Sequence, residues 1–216
     1  MGLLDLLLPG ACAGCGRYGE LLCAACVLSL RPASAASDRF AAADPGVVVG
    51  DALELAMAAF VHDGTMRRAL QRLKYGGAGR LAAPLAAAAT PALRRLVMQS
   101  GPAPLVPVPV HAIRRRQRGY NQAELLSMEL GRLTGLQVVD LLVRHRPTTR
   151  QHGLGRAARL HNLRGSLAIR SGAQLPATVI VVDDILTTSA TLEACAETLR
   201  SHGISRVFGF AVAREV

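Results

Sequence analysis

An apolar, β-branched run that ends in two adjacent acids and a turn of small hydroxylated residues constrains this chain more than any other feature. The stretch is Val179-Ile-Val-Val-Asp-Asp-Ile-Leu-Thr-Thr-Ser-Ala-Thr191. Its apolar part, from Ala177 to Val182, reads as a strand buried on both faces. That strand delivers Asp183 and Asp184 to the carboxyl edge of a sheet, where open α/β sheets bind ligands. The turn then opens a helix over 188–202, which Gly203 ends. Free amides of Thr188, Ser189, Ala190 and Thr191 would point at one anion, reinforced by the helix dipole. Thr187, Thr188, Ser189 and Thr191 add hydroxyl donors. Two carboxylates beside them would repel a second phosphate but accept hydrogen bonds from vicinal hydroxyls. A sugar phosphate satisfies both halves. An ordinary helix cap would explain the hydroxyls, but not two aspartates at a buried edge, which are costly without partners. With no Gly-Lys-Ser/Thr and no dinucleotide glycines, the turn is neither a Walker loop nor a Rossmann fingerprint.

The rest of the chain supplies the neighbours such a strand needs. Residues 47–61 mix strand and turn signals. Apolar and basic residues alternate at helical spacing from Gly64 to Tyr75, and Gly76-Gly77 stops that helix. An Ala/Leu-rich helix follows, expected to break near Pro91. Leu105-Val-Pro-Val-Pro-Val110 is a strand end turning into a loop, because proline cannot donate to a ladder. A basic loop with Arg114, Arg115, Arg116 and Arg118 leads through Gly119 into a helix over 121–134. Strands are expected at 137–143 and from Arg206 to Val212, with an Arg-rich loop and short helix over 144–166. Strands alternating with helices define an α/β fold with a mainly parallel sheet.

Four of five cysteines form two C-x-x-C pairs, Cys12/Cys15 and Cys23/Cys26. Each pair is a zinc knuckle, and two knuckles complete a tetrahedral thiolate site. Four thiolates leave no position for water, so the Zn2+ is structural. The alternative is a metal-free structural or redox pair of cysteines. Cys195 reads as a small buried hydrophobe. The organisation that follows is a four-cysteine zinc-binding module at 1–30, a linker at 31–46 rich in Ala, Ser and Pro, and the α/β domain at 47–216.

With 216 residues, half of them hydrophobic, the chain can bury a full core. The formal charge of +10 favours anionic partners. Of 25 basic residues only Lys74 is lysine, a bias that fits a GC-rich genome and discounts part of that charge. Aromatic residues at 3% and no Trp argue against a base-stacking surface. No apolar run reaches the roughly 18 residues a membrane span needs. The apolar opening carries Asp5 and no basic segment, unlike a signal peptide, so a cytoplasmic location is expected.

On its strand, paired acids and Thr-rich turn, the chain resembles the type I phosphoribosyltransferases. That resemblance implies that Asp183 and Asp184 hold the ribose hydroxyls of phosphoribosyl pyrophosphate (PRPP) or a nucleotide. The turn from Thr187 through Thr188, Ser189 and Ala190 to Thr191 would cradle the 5-phosphate, with Mg2+ accompanying the diphosphate. Ser189 stands where that family usually has Gly. Thr187 replaces the acid that purine-salvage members use as a base. Three further segments narrow the match: Leu73-Lys74-Tyr75-Gly76, Val106-Pro-Val-Pro109 with Arg115 and Arg118-Gly-Tyr-Asn-Gln122, and Arg144-x-Arg146-x-x-Thr149-x-Gln151 running on to Asn162. With the cysteine pairs they are similar to the ComF family of competence-associated proteins. By this resemblance Lys74, Arg115, Arg118 and Arg146 contact phosphate, and the segment 144–162 closes over the pyrophosphate. It further implies a role in DNA uptake, with single-stranded DNA or a competence helicase as partner. The alternative is an active phosphoribosyltransferase that releases pyrophosphate onto an unknown base.

Overall fold

The computed structural model describes residues 10–33, 47–48, 51–75, 77–145, 165–187 and 189–215. The central element is the long strand β6 (Thr178–Leu186), in which Val179, Ile180, Val181 and Val182 are wholly buried. It lies in a five-stranded sheet of order β1-β2-β7-β6-β3, with β1 (Val47–Val48), β2 (Leu55–Val61), β3 (Leu105–Pro107) and β7 (Arg206–Arg214). Only β1 is antiparallel to its neighbour. A second, two-stranded antiparallel sheet joins β4 (Leu142–Arg144) to β5 (Leu167–Ile169).

Burial of the sheet on both faces follows from which helices carry apolar stripes. On one face α2 (Gly64–Tyr75), α3 (Ala82–Ser100) and α5 (Gln122–Thr134) bring Leu70, Leu93, Leu126 and Leu130 against Ile180, Val182 and Phe210. On the other, α6 (Ala190–Ser201) brings Leu192, Cys195 and Leu199 against Val179, Val181 and Val207. The short helix α1 (Ala24–Leu28) belongs to the cysteine region. Cys12, Ala13, Leu22 and Cys26 join the first of these two clusters, so the cysteine region and the sheet share one core.

This arrangement positions the site. Strands β3 and β6 are adjacent and parallel. The chain leaving β3 reaches α5 on one face, whereas the chain leaving β6 enters α6 on the other. Adjacent strands whose following helices diverge to opposite faces leave a crevice at their carboxyl ends, the place where doubly wound sheets hold ligands.

Several expectations are corrected. The Ala-rich helix does not break at Pro91; α3 continues from Ala82 to Ser100. Leu85, Ala89, Leu93 and Leu96 are fully buried on both sides of the proline, and that packing outweighs the one lost helical hydrogen bond. The buried Thr90 hydroxyl donates to the Ala86 carbonyl at 2.8 Å beside it. The arginines of 114–118 do not sit on a loop but on a helix, α4 (Ala112–Arg118). His111 caps its start by accepting from the Ile113 amide, and Gly119 ends it at φ 82°. Strand β6 runs past Val182 to Leu186, so the two acids lie within it. The strand expected at 137–143 is confined to Leu142–Arg144, preceded by a single parallel bridge between Leu105 and Val138. Arg146, Thr149, Gln151 and the closing segment through Asn162 lie outside the described residues, as do Gly76 and Thr188.

Candidate functional site

Alternation along β6 sends its two acids to different surroundings. Asp184 is buried, 3% exposed, and its Oδ2 lies 2.5 Å from the Nζ of Lys74. That ammonium arrives from the last turn of α2, where the α-helix dipole favours a cation. Asp183 is half-buried, and its Oδ1 accepts from the Asp184 amide at 2.8 Å. Desolvation, the neighbouring Asp184 carboxylate and a hydrogen bond with it push the Asp183 carboxyl up to about 8, against a weaker pull from Lys74. Near neutral pH the pair therefore keeps a proton on Asp183 while Asp184 is matched by Lys74. Lys74 is the counter-ion of the buried acid and also lines a neighbouring cavity.

Ser189 takes φ 57° and ψ −9°, the left-handed region, and is the one described non-glycine residue with positive φ. Glycine adopts this conformation at little cost, whereas a side chain makes it strained. Replacing Ser189 with glycine is expected to stabilise the fold by roughly 0.5–1 kcal/mol, read as a higher urea midpoint at unchanged slope; a lower midpoint would show that serine contacts outweigh the backbone strain. Ala190 is buried, Thr191 half-buried and Thr187 exposed.

A cavity of about 410 Å³ opens beside Lys74, lined also by Tyr75, Gly77, Arg114, Gln117 and Arg118. The spacing 114, 117, 118 puts three of these on one side of α4. Arg118 lies over the Tyr75 ring at 5.2 Å and donates to Gln122 Oε1 at 2.8 Å. The Tyr120 hydroxyl donates to the Leu73 carbonyl at 2.6 Å, tying this wall to the end of α2. Lys74 and Arg118 thus meet at one cavity. Arg115 does not join them: it faces the other side of α4 and forms an ion pair with Glu124 at 3.1 Å. Two structural residues escaped the sequence reading. Asn121 caps α5 through the Ala123 amide and donates to the Val108 carbonyl at 3.0 Å, holding the β3 exit against the helix. Its place before an Ala-Glu-Leu-Leu run is a cap signal. The burial of Arg144 has no local signature.

The four N-terminal cysteines converge: their sulfurs all lie within 4.8 Å of one another. Cys23 Sγ is 3.7 Å from both Cys12 Sγ and Cys15 Sγ. A tetrahedron with metal–sulfur bonds of about 2.3 Å has edges of about 3.8 Å, so the sulfurs fit a Zn2+-sized ion. At Gly14 a Cβ would fall 2.5 Å from Cys26 Sγ, which explains glycine inside the first knuckle. Burial opposes ionisation of Cys12, but amides of Cys15, Cys23 and Gly14 outweigh it and bring the thiol down to about 6. Burial and the neighbouring thiols push Cys26 up to about 12. Thiolates are the metal-binding form, so loading such a site would release the remaining thiol protons. Cys195 is a buried hydrophobe of α6, as expected, with burial raising its thiol to about 12.

No family model matches the chain. Over 116 residues it is 34% identical to competence protein F of Haemophilus influenzae, an alignment spanning 52% of this chain and 51% of that protein. Over 104 residues it is 32% identical to DNA utilization protein YhgH of Escherichia coli K12 and 31% identical to the protein of that name from Salmonella typhi. Those alignments cover 48% of this chain and 45% of each relative. The chain spans about half the length of the curated relatives it matches. Among the described residues no helix is long and apolar enough to cross a membrane.

Proposed function

We propose that this chain is a member of the ComF family, a reading its relatives support, that it binds a phosphorylated ribose at the β3/β6 crevice and that it serves a DNA-uptake system in the cytoplasm. The observation that carries this reading is the meeting, at one topological switch point, of two acids, a buried ammonium and a basic cavity. Asp183, protonated near neutral pH, both donates and accepts, and so suits a sugar diol. The turn from Thr187 to Thr191 supplies amides for a terminal phosphate. Lys74, Arg114 and Arg118 line room for the charged remainder of PRPP or a nucleotide. Mg2+ carried with a diphosphate would offset its charge. The four-cysteine module at 1–30 holds a structural Zn2+, and the segment 31–46 links it to a phosphoribosyltransferase-like domain at 47–216. The names of the relatives, competence protein F and DNA utilization protein, supply the link to DNA uptake. Single-stranded DNA and an uptake helicase are the partners this implies.

Calorimetric titration with PRPP and with nucleoside monophosphates, magnesium present, tests the reading. D183A and R118Q should each weaken binding by about tenfold, the loss of one charge-assisted or buried hydrogen bond. Absence of heat with every phosphorylated ribose would refute it. Pyrophosphate release in the presence of some base would make the protein a transferase. Affinity for single-stranded DNA that falls steeply with salt would support the DNA partner, and a flat dependence would remove it.

A further inference from the structure

We propose that a second oxyanion pocket, separate from the Lys74 cavity, is built around the buried guanidinium of Arg144 and takes one carboxylate or phosphate group in a bidentate grip. The pocket lies on the opposite side of α4, between the β3 exit, the start of α5 and the β4–β5 hairpin, with a volume of about 50 Å³. A single water needs roughly 10–15 Å³, so this space suits one small polar group and no nucleoside.

The charges lining it do not cancel. Arg115 is paired with Glu124 at 3.1 Å, and Arg170 with Asp140 at 2.7 Å. Those two pairs use both acids of the pocket. Arg144 is left over. It is 9% exposed, it lines the same pocket, and its Nε and Nη2 are buried with no hydrogen-bond partner among the described residues. These two nitrogens form one edge of the guanidinium, whose parallel N–H bonds match the two oxygens of a carboxylate or phosphate. A buried arginine does not lose its proton, so these N–H groups call for acceptors, and an anion is the strongest acceptor they can take. Residues 145–164 contain no Asp or Glu, so the segment that follows β4 cannot supply one.

Arg144 is also fixed. It sits in the β4 ladder opposite Leu167, its β4 neighbour Leu142 is buried, and the pocket wall carries Asn121, pinned to Val108. The group is thus a rigid receptor, not part of a closing loop. The inference goes beyond the reading of the Lys74 cavity and stands whatever that cavity binds.

The test follows the Nε–H resonance of Arg144 in the full ¹⁵N-labelled chain, assigned by its disappearance in R144Q. Inorganic phosphate and acetate are titrated separately against chloride at equal ionic strength. A saturable shift with phosphate, acetate or both, without one in chloride, supports the pocket, and the better ligand identifies the source. R144M, apolar and of similar length, should bind that ion about tenfold more weakly, whereas R114Q, altered in the other cavity, should retain the Arg144 shift. Equal, unsaturable shifts in all three salts would overturn the proposal, as would wild-type affinity in R144M. If neither Arg144 variant folds, assignment by triple resonance lets the parent titration decide alone. Loss of PRPP binding with this shift intact would refute only the reading of the Lys74 cavity.

Discussion

The K74M variant is expected to unfold roughly 3–5 kcal/mol more easily than the parent at pH 8, the usual cost of stranding one member of a buried ion pair. Lys74 Nζ lies 2.5 Å from Asp184 Oδ2, with side-chain exposures of 16% and 5%. Methionine retains most of the packing volume and removes the charge. Asp184 would then remain in the core beside a second carboxyl. The pH dependence follows from Asp183, whose carboxyl is pushed up to about 8 and held down partly by Lys74. A raised acid contributes stability that is fully present below its ordinary value near 4 and is lost as pH rises through the folded-state value. Removing Lys74 raises that value further, so the deficit of K74M stays level from pH 4 to about 8, where both proteins keep this proton, and grows above pH 8 as only the parent releases it. Denaturant unfolding across this range measures it. The K74M/D184N double variant should recover most of the loss, because no buried charge is left unmatched. A K74M deficit under about 1 kcal/mol at pH 8 would mean that Asp184 finds water or another partner, and the account of the site would fail.

Stripping the metal from the cysteine cluster, or replacing Cys26 with serine, is expected to cost at least about 3 kcal/mol, since binding energy at a structural thiolate site is folding energy. The parent should carry one Zn2+ per chain by elemental analysis, and C26S less than one. The effect would extend beyond the knuckles, because they rest on α2. Arg68 Nε donates to the Gly14 carbonyl at 2.9 Å, Arg72 Nη1 to the Ala11 carbonyl at 3.0 Å, and Ser29 meets Thr65 at 3.1 Å. The same helix ends at Lys74 and at the Leu73 carbonyl bonded by Tyr120. Metal removal should therefore lower amide-exchange protection along α2 as well as the melting temperature. An apoprotein that melts with the holoprotein would show the cluster to be dispensable, and its sulfurs to be a metal-free pair.

Local chemistry made several parts of this molecule legible in advance. The apolar run of β6, the hydroxylated opening of α6 and the two C-x-x-C pairs each carry their signal within a dozen residues, through side-chain period, capping and ligand spacing. Ser189 was marked only by standing where the resembled family usually has Gly, and its φ of 57° is a backbone value glycine takes more cheaply. Pro91 misled because propensity weighs one lost hydrogen bond and cannot count the buried leucines on either side.

Strand order, by contrast, is nowhere written along the chain. Lys74 and Asp184 are 110 positions apart and touch because β2 and β6 flank β7, with α2 on the face to which Asp184 points. The divergence of α5 and α6 to opposite faces opened the crevice, and a single residue step along α4, about 100° of rotation, sent Arg114 and Arg115 into different pockets. Residue types and their near neighbours thus determined which groups this protein would offer; which of them meet was decided by long-range packing, because burial energy depends on contacts between segments that no local pattern encodes.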